Sequence, residues 1–65
     1  MRILLNDEPR EISAATVSEA LGELGYGSAR VATAVDGTFV PVSRRADFRL
    51  TDGASLEVVA PMQGG

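Results

Sequence analysis

Cysteine, histidine, lysine and tryptophan are all missing from the 65-residue chain, and most of these absences remove a class of chemistry. Without cysteine there is no disulfide and no thiol nucleophile. Without cysteine and histidine together, the usual zinc ligands and the Ser-His or Cys-His pairs of nucleophilic catalysis are missing too. Without lysine, the chain offers an isopeptide bond no acceptor except its own N-terminal amine, so lysine-linked self-conjugation is excluded. All six basic residues are arginine, which a biased base composition would also produce. A long apolar run is lacking as well: nothing approaches the roughly 20 residues of a membrane span, and Arg2 to Arg10 does not have the layout of a signal peptide. No membrane is expected as a partner, and a cytoplasmic location is.

The charges that are present number nine acidic and six basic residues, a net −3. The arginines are scattered and form no positive stripe, which argues against nucleic acid as a partner. The acidic balance suits a basic partner surface, and it also keeps a small domain soluble. A chain of this length forms one domain whose core leaves roughly 3 to 5 kcal/mol after conformational entropy is subtracted. No second domain is expected to build a catalytic cleft, so any reaction is expected to use the chain terminus or a partner's residues.

Along the chain, residues 1–6 alternate, with Met1, Ile3 and Leu5 on one face of a strand. Asn6-Asp7-Glu8-Pro9 has the composition of a turn, and residues 10–14, centred on Ile12, are expected to return as the second strand of a hairpin. Thr16-Val17-Ser18-Glu19 fits a capping box, followed at helical spacing by Val17, Ala20, Leu21 and Leu24 and stopped by Gly25. Gly22, inside this helix, is read as a point of close packing. Val31, Thr33 and Val35 define a third strand, Asp36-Gly37 a hairpin turn, and residues 38–42 a short fourth strand that Pro41 marks as an edge. Residues 43–49 are irregular, with Ala46 and Phe48 as core plugs and Arg44 and Arg45 on a solvated face. Asp52-Gly53 turns into a last strand with Leu56, Val58 and Ala60 on its inner side. One helix and several strands sharing a core imply an α+β layer, a mixed sheet of four to five strands covered on one face by the helix.

The last strand runs into Met62-Gln63-Gly64-Gly65. Two glycines in a row make the thinnest backbone available, able to enter a cleft where a side chain would clash. Four extended residues reach about 13 Å, at roughly 3.3 Å each. The terminal carboxylate is ionised at neutral pH and can attack an activated phosphate. Read alone, the same ending also suits a frayed terminus.

The strand, strand, helix, strand, strand order in so small a chain ending in Gly64-Gly65 resembles the ubiquitin-like β-grasp fold. Within it, the chain is most similar to the ThiS family of sulfur carriers in thiamine biosynthesis. The similarity rests on Ile3-Leu4-Leu5-Asn6-Asp7, Thr16-Val17 with Leu21, the run Val31 to Gly37 followed by Val40-Pro41, Asp52-Gly53, and Gly64-Gly65. Asp36 stands where that family often has asparagine, and either residue suits the turn.

This resemblance implies that Gly65 is adenylated by an E1-like (ThiF-like) adenylyltransferase that consumes ATP. The carboxylate is then converted to a thiocarboxylate with sulfur from a donor protein, and the sulfur passes to a ThiG-like thiazole synthase. The chain would be a co-substrate rather than an enzyme, with no bound cofactor or metal. Two other readings share the fold: a molybdopterin synthase small subunit, which is usually longer, and a ubiquitin-like modifier or interaction module. The expected division is a β-grasp domain over 1–61 and a flexible tail over 62–65 that orders on binding. If Met1, Ile3, Leu5, Leu56 and Val58 face the core, alternation turns Leu4 and Val59 outward, and Phe39 with them if Val40 is buried. These three form a candidate docking patch beside the tail.

Overall fold

A computed structural model describes residues 1–27 and 29–60. The expectations for Met62, Gln63, Gly64 and Gly65 therefore lie outside the described residues. The chain opens with β1 (Arg2–Leu5) and β2 (Glu8–Glu11), paired antiparallel with Leu5 opposite Glu8. The turn is thus only two residues long, and the second strand begins earlier than the 10–14 expected. The reason is backbone geometry: Asn6 and Asp7 both adopt positive φ, 48° and 71°, the conformation a two-residue hairpin turn requires and one these side chains tolerate. Pro9 fits inside β2 because β2 is an edge strand, where a missing N–H breaks no ladder. Ile12, past the strand, is still buried. The Met1 ammonium donates to its carbonyl at 2.7 Å, and its N–H donates to the Met1 carbonyl at 2.8 Å.

The helix α1 (Val17–Glu23) starts where the capping box places it. Glu19 N–H donates to Thr16 Oγ1 at 3.2 Å, while the N–H groups of Ala15 and Thr16 donate to Glu19 Oε1 at 2.9 and 3.3 Å. These donors hold the Glu19 carboxyl below its usual value. Because the folded pKa is depressed, the stability from this contact is fully present above the unfolded value near 4.5 and is lost as pH falls through the folded one. Gly25, at φ 93°, ends the helix as a left-handed residue. Gly22 does not mark close packing, since a Cβ built there meets nothing within 4 Å. At the far end of α1, Glu23 accepts from the N–H groups of Ser13 and Ala14 at 2.9 to 3.0 Å, tying the approach segment to the helix. Replacing Thr16 by alanine removes one half of the box and should cost about 1 kcal/mol, read as a Tm lower by roughly 4–8 °C at pH 7 in a domain of this size. An unchanged melting curve would contradict it.

Strands β3 (Ala32–Val35) and β4 (Thr38–Val40) form a second hairpin about Asp36 and Gly37, whose φ values are 49° and 84°. β4 stops at Val40, short of the expected end, because Pro41 instead becomes the N-cap of a 3-10 turn, Val42–Arg44. Ala46 is exposed and is not a core plug, whereas Phe48 packs half-buried against the core. Arg45 also departs from expectation: its Nε donates to Thr33 Oγ1 at 3.2 Å and its Nη2 to the Val31 carbonyl. It latches the irregular segment to β3 instead of lying on a solvated face. The Thr33 hydroxyl, fully buried, donates in turn to the Val40 carbonyl at 2.8 Å, so its polarity is satisfied.

The final strand β5 (Ser55–Val59) enters the middle of the sheet, giving the order β2-β1-β5-β3-β4. It is parallel to β1 and antiparallel to β3, so the five-stranded sheet is mixed. Its inner residues Leu56 and Val58 are buried, and Ala60, beyond the strand, is exposed. They join Ile3, Leu5, Val35 and Val40 from the other strands and Val17, Ala20 and Leu21 from α1 in one core. No helix among the described residues is long and apolar enough to cross a membrane.

Candidate functional site

The candidate site is the end of β5, from which residues 61–65 continue, together with the sheet face opposite α1. Two local devices fix that strand end. On one side, β1 stops at Leu5, whose partner on β5 is Leu56, so Val58, two residues further on, has no partner in β1. The Asn6 side chain supplies the missing rung: Val58 N–H donates to Asn6 Oδ1 at 2.9 Å, and Asn6 Nδ2 donates to the Val58 carbonyl at 3.1 Å. On the other side, Val59 pairs with Ala32 of β3. The strand is held on both sides up to the point where the tail begins. Alternation reads Asn6 only as a turn residue. Its second role depends on β1 and β5 being parallel neighbours, and no local signal carries that.

The opposite end of β5 is fixed by the same kind of contact. Asp36 Oδ1 accepts from Ser55 N–H at 3.0 Å, and Asp36 N–H donates to the Ser55 carbonyl at 2.9 Å. Asp52 Oδ1 accepts from Arg2 N–H at 2.8 Å. Polar turn residues thus complete the ladder where neighbouring strands run out.

That face carries Leu4, Phe39 and Val59, which are 37, 65 and 61% exposed. Phe39 and Val59 stand on either side of β3, opposite Ala34 and Ala32 respectively. Both alanines are small, so the two larger side chains flank a low strip about two strand spacings, roughly 10 Å, across. Leu4 lies elsewhere on the same face, level with Ser55 on the far side of β5, and Glu57 intervenes. The structure therefore brings Phe39 and Val59 into one patch and leaves Leu4 apart from it. Val42, 73% exposed, is a further apolar residue that the sequence does not single out: expected to end the strand over 38–42, it instead begins the 3-10 turn after β4. Met62, Gln63, Gly64 and Gly65 remain outside the described residues.

Comparison with known proteins places this geometry in context. Residues 3–65 match the ThiS family. The chain is 42% identical over 66 residues to a thiazole synthase of Paramagnetospirillum magneticum, and it spans about a fifth of that relative, 20% of its length against 100% of this chain. Its fold superposes with a TM-score of 0.84 on the crystal structure of a thiamine biosynthesis protein (ThiS) from Geobacter metallireducens, with 25% sequence identity and each chain covered completely. A family match running from the first strand through the final glycines, on a five-stranded mixed sheet with one α-helix among the described residues, establishes that the chain belongs to the ThiS family of small sulfur carrier proteins.

Proposed function

We propose that the chain carries sulfur for thiazole formation in thiamine biosynthesis, with the Gly65 carboxylate as the group that is loaded. The observation that carries this reading is the family match over residues 3–65, which includes Gly64 and Gly65. A carboxylate oxygen is a poor leaving group, so loading begins with attack of that oxygen on the α-phosphate of ATP. Pyrophosphate leaves and an acyl adenylate forms. A sulfur nucleophile then displaces AMP. Because the chain has no cysteine, that nucleophile is hydrosulfide released by a donor protein: the C–S bond forms as the C–O bond to AMP breaks, and loss of the remaining S–H proton leaves a thiocarboxylate. ATP binding and adenylyl transfer belong to a ThiF-like enzyme. Supplying no Cys or His of its own, the carrier acts as a co-substrate.

The acceptor in this reading is a ThiG-like thiazole synthase. It is supported by the similarity of this chain to a segment of a much longer protein described as a thiazole synthase. Such an arrangement keeps carrier and acceptor within reach of one another. A cytoplasmic setting follows for a carrier whose partners consume ATP. The strip between Phe39 and Val59, beside the start of the tail, is the surface against which the activating enzyme docks. Docking offsets the entropy lost when the tail is held in the active site.

The reading is tested by mixing the protein with a ThiF-like enzyme, ATP and a sulfur source, and measuring intact mass. The product should be heavier by the exchange of one oxygen for sulfur, located at Gly65. An unchanged mass, or a cellular protein whose chain continues past Gly65 without processing, would refute it. The docking surface has its own test. Val59→Asp puts a charge on an exposed position, so the melting curve should stay as in the wild type while adenylation at limiting carrier falls severalfold. Equal rates for both proteins would remove Val59 from the interface.

A further inference from the structure

The outer sheet face holds three charged strand residues, and two of them neutralise each other. Arg2 on β1 and its cross-strand partner Glu11 on β2 form an ion pair, with 3.6 Å between Nε and Oε1. The Met1 ammonium adds a contact of 3.5 Å to the same Glu11 carboxylate. Glu57, in the middle of β5, is different. The ion pairs among the described residues join Met1 and Arg2 to Glu11 and Arg10 to Glu8, and none includes Glu57. Its partner on β3 is Ala34, whose own partner on β4 is Phe39. Two residues further along β5 is Val59, opposite Ala32. One exposed, uncompensated carboxylate thus borders the apolar strip.

An acidic residue on an exposed face can serve solubility alone, and on an edge strand it can block unwanted pairing. β5 is the central strand, so edge protection does not apply. Solubility would be served equally well at an exposed position away from the strip. A carboxylate beside apolar side chains has a distinct property: a partner that covers the strip strips water from it as well. Covered without a counter-charge, it opposes binding, and covered with one, it strengthens binding and fixes its register. Such a residue discriminates between partners by rejecting apolar surfaces that lack a cation.

We infer that Glu57 is the specificity-determining residue of the carrier's encounter with its activating enzyme, pairing with a guanidinium or ammonium group that the enzyme presents among apolar side chains. This rests on the sulfur-carrier reading above. Two further observations favour that occupant. Gly65 lies six residue steps beyond Val59, at most about 20 Å of extended chain, so an enzyme that closes on the Gly65 carboxylate comes within reach of this face. The domain also carries a net charge of −3, which steers it toward a basic surface.

The test is the dependence of ATP–pyrophosphate exchange on carrier concentration, with a purified ThiF-like adenylyltransferase, at low and high salt. Glu57→Gln keeps size and polarity and removes the charge. It should raise KM for the carrier at least about tenfold, leave kcat and Tm unchanged, and flatten the salt dependence. Asp47→Asn removes an equal charge from the exposed segment after the 3-10 turn, whose neighbours Arg45 and Phe48 accept from the first residues of α1, and it should leave KM at the wild-type value. An unchanged KM and salt slope for Glu57→Gln, or an equal effect of the two substitutions, overturns the assignment. Wild-type protein that supports no exchange at all overturns the carrier reading, and this inference with it.

Discussion

Deletion of Gly65 should abolish thiocarboxylate formation while leaving the fold untouched. The carboxylate would then sit on Gly64, withdrawn by about 3.3 Å along an extended chain, whereas a preorganised active site tolerates roughly 0.5 Å. In-line attack on the α-phosphate of ATP depends on that placement, and misplacing a reacting atom by even 1 Å costs about 100-fold in rate. Adding one alanine after Gly65 should be as damaging for two reasons: it moves the carboxylate outward by the same step, and it introduces a methyl group where a passage fitted to glycine has no room. Both variants should melt with the wild type, since neither touches the core. Intact mass after incubation with a ThiF-like enzyme, ATP and a sulfur source is the measurement. Full conversion of either variant would show that Gly65 is not the loaded residue.

Leu56→Ala should produce the largest loss of stability. Leu56 is completely buried, sits on the central strand, and is among the largest fully buried side chains of the domain. Truncating a buried leucine costs about 2–5 kcal/mol through lost transfer energy and the cavity left behind. Chains of this size are stable by roughly 3–5 kcal/mol in all, so the variant should be substantially unfolded at 25 °C without denaturant. Leu4→Ala, on the neighbouring strand but facing out at 37% exposure, provides the contrast and should cost under about 1 kcal/mol. Urea titrations of the two would separate them. Similar midpoints would mean that the alternation of β1 and β5 has been assigned to the wrong faces.

The sequence is most readable where a residue's preference is settled by its own backbone. The capping box at Thr16 and Glu19 and the turns at Asp36-Gly37 and Asp52-Gly53 all appear as the residue types require, because capping and positive φ are local matters. The inward alternation of Ile3, Leu5, Leu56 and Val58 is legible for the same reason. The hairpin at Asn6-Asp7 is a near miss: Pro9 reads as a turn residue until β2 is known to be an edge. What alternation cannot supply is the partner. Asn6 pinning Val58, Arg45 reaching Thr33 and Val31, and Glu23 holding Ser13 and Ala14 all join positions 9 to 52 residues apart. Each depends on how elements pack in three dimensions. The outer-face residues Leu4, Phe39 and Val59 could be named from alternation, yet their separation into a patch and an outlier needed the strand order, and so did the position of Glu57 beside that patch.

The parallel pairing of β1 with β5 has a mechanical consequence. The first strand begins at the N-terminal end of the chain, and the last leads directly into the tail. Tension applied to the tail therefore pulls β5 lengthwise between β1 and β3. Strands loaded in this way slide in shear and share the load among all their cross-links, whereas a hairpin pulled from its open end peels one bond at a time. The links that resist include Leu4 N–H to the Ala54 carbonyl at 2.9 Å, Asn6 N–H to the Leu56 carbonyl at 3.0 Å, and the paired contacts of the Asn6 amide with Val58. Resistance of this kind is a property of the unfolding rate rather than of equilibrium stability. A domain with a small core can thus be pulled repeatedly from its C-terminal side without β5 being drawn out of the sheet.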